Sequence, residues 1–132
     1  MPFKFLSRDK DLCKGATFVD VDYKQLMLKK CEIIRATSEL STTIQLDGGR
    51  SASGDILIDC PSYKAAACDL EDMPALNKVL KETLDLGKNP VLFLAEVSIT
   101  YMDSLKAEKL IEWASTFNDG KYTLLVPSYP PH

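Results

Sequence analysis

Histidine is nearly missing from this chain of 132 residues: the one copy, His132, is the last residue of a proline-rich tail. Nothing therefore resembles a Ser-His-Asp or Cys-His arrangement, and no catalytic residue is named from the sequence. The four cysteines, Cys13, Cys31, Cys60 and Cys68, form no CxxC pair and have no histidine near them, so no metal site is expected. GxGxxG and GxxxxGK[ST] are both absent, which removes dinucleotide and P-loop readings. The longest apolar run, Val91 to Ala95, is far too short to span a membrane. The opening MPFKFLSRDKD lacks the apolar core of a signal peptide and carries early acids unlike a transit peptide, so reduced thiols and a cytoplasmic setting are expected. Strong positive charge is missing too: the net charge of −3 argues against a broad basic face for nucleic acid.

What remains is a soluble, globular composition, 45% hydrophobic and 27% charged, in a chain long enough for one domain. TFVDVD (17–22) alternates and is rich in β-branched residues, which predicts a strand ending at Asp22. From Lys24 to Thr37, Met27, Cys31 and Ile34 recur at helical spacing, with Leu26 and Ile33 beside them and lysines, Lys29-Lys30 among them, on a solvated side. Residues 38–55 are polar and glycine-bearing and are expected as a loop or insertion, ordered or mobile. Ile56 to Ile58 predicts a minor strand, and YKAAACDL (63–70) a second main strand whose acid is Asp69. Asp72 caps a helix with Pro74 in its first turn and Leu76, Val79, Leu80 and Leu84 on its apolar face, stopped by Gly87.

PVLFLAEVSITYM (90–102) then supplies a strand of the kind buried on both faces, ending in Glu96. Asp103 or Ser104 caps a third helix, faced by Ala107, Leu110, Ile111, Ala114 and Phe117, with Trp113 at its edge. Tyr122 to Val126 is a last strand before the proline-rich tail, 127–132. Strands alternating with helices predict an α/β fold with a mostly parallel sheet flanked by helices, one domain over 1–132. Three strands end in acids, Asp22, Asp69 and Glu96, and open α/β sheets bind ligands outside the carboxyl ends of their strands. A carboxylate only accepts hydrogen bonds, so one such acid suits ribose hydroxyls, a second an adenine amino group, and a third a cationic centre. The plainer reading is that all three cap helices or sit in solvated turns.

The segments LFLAEVSITYM with the KAEKLIEWAS helix, LCKGATFVDVDYKQLMLKKCEII and YKAAACDLEDMPAL together resemble the leucine carboxyl methyltransferase family, nearest its tRNA wybutosine branch. The resemblance runs from about residue 10 to about residue 125. It implies a partial Rossmann-like class I fold with S-adenosyl-L-methionine as cofactor. It also implies tRNA as partner, carrying the wybutosine-precursor nucleoside. By that resemblance Asp22 meets the ribose, with Asp20 as the alternative, Asp69 and Leu70 flank the adenine, and Glu96 faces the methionine part. The substrate carboxylate is itself the nucleophile in such enzymes, so positioning carries the catalysis. The family's first strand and Gly-rich cofactor loop have no counterpart here, so the chain is expected to be a middle piece, with open sheet edges that invite self-association. Two alternatives stand beside this reading: a methyltransferase of protein C-terminal leucine carboxyls (phosphatase-directed), and a non-catalytic remnant or interaction module.

Overall fold

The structure, a computed structural model, describes residues 2–84, 89–96, 98–120 and 123–128, some of them near the C-terminus by their backbone alone. The chain forms two compact units, Met1–Thr83 and Leu84–His132.

In the first unit, β1 (Phe18–Asp22) leads through Tyr23 into α2 (Lys24–Ala36). The helical stripe falls as its spacing dictates: Met27, Cys31 and Ile34 are buried, whereas Leu26 and Ile33 are 42% and 52% exposed. The next main strand, β3 (Tyr63–Ala67), lies parallel to β1 in a register running from Phe18↔Tyr63 to Asp22↔Ala67. The minor strand β2 (Ile56–Asp59) pairs antiparallel with β3, giving the order β1-β3-β2. Here the expectation of a mostly parallel sheet is corrected, because this sheet is mixed. Only Cys60, Pro61 and Ser62 separate β2 from β3, and a parallel return needs a crossover of a dozen or more residues. The hairpin closes with the Cys60 amide donating to the Tyr63 carbonyl at 2.9 Å.

The outer side of β2 meets the preceding segment through isolated bridges Arg50↔Asp59 and Ser53↔Ile56. That segment belongs to 38–55, which holds a helix, α3 (Ser38–Thr43), and a 3-10 turn, Leu46–Gly48. Ile44, fully buried, anchors it to a core formed with Leu6, Met27, Cys31, Ile34, Ile58 and Tyr63. Leu6 comes from α1 (Pro2–Arg8), whose Phe3 ring sits 5.0 Å from that of Tyr63. Helix α4 (Met73–Thr83) begins at Asp72, whose Oδ1 accepts the Ala75 amide at 3.0 Å, and it buries Leu76, Val79 and Leu80. Its expected stop at Gly87 lies outside the described residues.

In the second unit, β4 (Val91–Glu96) and β5 (Thr123–Ser128) pair in parallel, joined through α5 (Ser104–Thr116). The strand β5 runs through Pro127 to Ser128, beyond the expected end at Val126, and residues 129–132 of the tail lie outside the described residues. Asp103 caps α5 by accepting the Leu105 amide at 3.0 Å, a bond of a kind that contributes about 1 kcal/mol. Phe93 packs against Trp113 and Phe117, with centroids 5.5 and 5.4 Å away, while Leu92 and Leu94 on the other face are 62% and 48% exposed. Within each unit the described strands form one sheet, of order β1-β3-β2 in the first and β4-β5 in the second.

Candidate functional site

Two of the predicted acids come together at one end of the first sheet. Asp22 is the last residue of β1, and its carbonyl accepts the Cys68 amide at 2.9 Å just past the end of β3. Asp69 follows immediately, so both acids stand at the carboxyl ends of adjacent parallel strands. Each spends one carboxylate oxygen locally. Asp22 Oδ1 accepts the Tyr23 amide at 2.8 Å, and Asp69 Oδ1 accepts the Glu71 amide at 2.9 Å. These bonds fix the turns after the strands. Asp69 is exposed, while Asp22 and Leu70 are half-buried. Two acceptor groups held by their own turns, at the mouth of a parallel pair, suit a neutral ligand rich in hydroxyl and amino donors.

Asp20, the alternative for the ribose position, is engaged otherwise. Its Oδ2 accepts from Lys30 Nζ at 2.6 Å and from Tyr63 Oη at 2.7 Å. Tyr63 is fully buried, and burial first, then the neighbouring Asp20 carboxylate, pushes its hydroxyl well above the usual tyrosine range. It stays a protonated donor at all ordinary pH values. Lys30 is correspondingly not part of a free solvated face. One sign of this arrangement is legible in the sequence, an acid two residues before Asp22 on a strand with a lysine ten residues on, and it does not distinguish a strut from a ligand.

Glu96 ends β4, in register with Ser128, in the second unit, and its side chain lies outside the described residues. Cys31, Cys60 and Cys68 are buried, and burial raises all three thiols, so they remain protonated and unreactive at neutral pH. Among the described residues no group of three His, Cys, Asp or Glu is gathered to hold a metal ion. None of the described helices is long and apolar enough to cross a membrane.

Comparison with known proteins gives a consistent answer. The chain is 40% identical over 131 residues to the tRNA wybutosine-synthesizing protein 4 of Aspergillus fumigatus, an alignment covering 98% of the chain. Against the Saccharomyces cerevisiae protein of that name the identity is 32% over 138 residues. This chain is a homologue of one segment of those proteins. The tRNA wybutosine-synthesizing protein 4 of Gibberella zeae aligns with 100% of the chain at 36% identity. The chain spans only 12% of the Aspergillus fumigatus wybutosine-synthesizing protein 4 and 20% of the Saccharomyces cerevisiae one. No protein-family profile matches the chain.

Proposed function

We propose that this chain is the cofactor-facing segment of an S-adenosylmethionine-dependent carboxyl methyltransferase acting in tRNA wybutosine biosynthesis, on a Rossmann-like class I fold. The observation that carries the reading is the pairing of Asp22 and Asp69 at the carboxyl ends of parallel β1 and β3. Asp22 takes the ribose hydroxyls, Asp69 the adenine amino group, half-buried Leu70 flanks the base, and Glu96 serves the methionine end. Asp20 is set aside for the ribose because it already serves Lys30 and Tyr63. When bound, the cofactor supplies an electrophilic methyl group. The protein holds the acceptor carboxylate in line with it, and orientation rather than a general base carries the rate.

The test is a titration of the chain with S-adenosylhomocysteine, followed by backbone amide shifts. Saturable shifts are expected at residues 22–23 and 69–71, and Asp22→Asn should weaken them about tenfold, as loss of a charged acceptor would. Shifts absent from these positions at millimolar ligand would sink the reading. Within each unit, β1 and β4 pair on one side only among the described residues, which also supports self-association of the chain. Light scattering checks it: a dimer mass is expected, and a monomer mass at high concentration removes it.

A further inference from the structure

The part-buried bonds of Asp20 lie two residues from the end of β1. Asp20 sits on β1, Tyr63 on neighbouring β3, and Lys30 in the second turn of α2. One carboxylate oxygen thus joins the three elements that converge on the β1–Tyr23–α2 corner. Asp22 occupies that corner. Its side chain holds the Tyr23 amide at the start of the turn, and its carbonyl holds the Cys68 amide next to Asp69. Charge-assisted bonds of this kind are short and direction-specific, and a fully buried tyrosine has no room to seek another partner. Lys30 is part-exposed, so the clamp has a dry arm from Tyr63 and a wetter arm from Lys30.

The geometry points to Asp20, Tyr63 and Lys30 as a positioning clamp that sets the orientation of Asp22 and of the Cys68–Asp69 turn beside it. This rests on the reading of Asp22 and Asp69 as cofactor acids. Asp20 is then a positioning residue that never touches the ligand, and the Asp-x-Asp step divides the work: the inner acid fixes the frame and the outer acid faces the site. Lys30 draws α2 down onto β1, and Tyr63 ties β1 to β3 behind the two acids.

Amide hydrogen exchange on the unliganded chain tests this without relying on any cofactor. Asp20→Asn and Tyr63→Phe, which remove charge or hydroxyl and keep the shape, should raise exchange at Tyr23 and Cys68 about tenfold relative to the core amides of Cys31 and Ile34. Leu76→Ala, a core change in α4 away from the corner, should leave that ratio unchanged. Uniform acceleration of all amides by Asp20→Asn would make the cluster merely structural and overturn the proposal. So would an unchanged ratio. The S-adenosylhomocysteine titration separates the two ideas. If the exchange ratio rises but no ligand shift occurs at residues 22–23 and 69–71 in the wild-type chain, the clamp stands and the cofactor reading falls. If the ligand shifts occur and the ratio does not rise, only the clamp falls.

Discussion

Phe117→Ala is expected to unfold the second unit. The core of that unit is an aromatic trio: Phe93 and Trp113 at 5.5 Å, Phe93 and Phe117 at 5.4 Å, Trp113 and Phe117 at 5.0 Å, the second pair edge-on at 87°. Phe117 is 4% exposed, so its ring has left water almost completely. Emptying such a site costs about 3–5 kcal/mol. A unit of about fifty residues holds only about 2–7 kcal/mol of stability in total. The loss therefore matches what is available. Trp113 is the single tryptophan of the chain, so its fluorescence reports on this trio alone. Emission moving to the position of free tryptophan is the expected result, with loss of the near-ultraviolet circular dichroism of the ring cluster. Emission that stays blue at low temperature would show that the trio is not the core.

The second large effect concerns a glycine whose backbone is ordinary. Gly49 has φ −78° and ψ 167°, values open to any residue, so conformational freedom is not why a glycine stands there. Space is the reason. A Cβ at this position would lie 2.7 Å from Cys60 Sγ, 3.0 Å from the Asp59 carbonyl and 3.2 Å from the Leu46 carbonyl. Cys60 is 1% exposed and cannot swing out, and two of the three obstacles are backbone. Gly49→Ala must push the 3-10 turn away from β2, at a cost of about 1–3 kcal/mol. Thermal unfolding should show a drop of several degrees. Adding Cys60→Ala should restore part of it, because the nearest obstacle is gone while the carbonyls remain. Equal melting temperatures for wild type and Gly49→Ala would show that the turn yields freely.

The elements set by strong periodicity were legible in the sequence. The stripe Met27–Cys31–Ile34 and the face Leu76–Val79–Leu80 are buried as their spacing requires. Asp72 and Asp103 cap their helices through side-chain bonds to the Ala75 and Leu105 amides, as their places before apolar runs suggest. Less legible were features decided by contact between distant residues. Helix α1 is too short for its period to stand out, and it is held by Leu6 and by Phe3 against Tyr63. Ile44 gives no periodic signal, yet its burial turns a polar, glycine-bearing stretch into ordered structure. The direction of β2 depends on a count of linker residues rather than on any side chain. At the site, Asp22 and Asp69 could be picked out as strand-end acids, whereas the duty of Asp20 depends on a tyrosine forty-three residues away.

The hairpin of β2 and β3 also gives the first sheet a direction of growth. On one flank β2 is bridged by Arg50 and Ser53, so its outer backbone groups are partly occupied. On the other, Phe18 and Asp22 bond toward β3, and strand alternation turns the amides and carbonyls of Val19 and Val21 the opposite way. Among the described residues of this unit, the sheet is therefore a template with one writable margin. A strand laid there would run alongside β1 and finish level with Asp22, so whatever completes the sheet must also form a wall of the site.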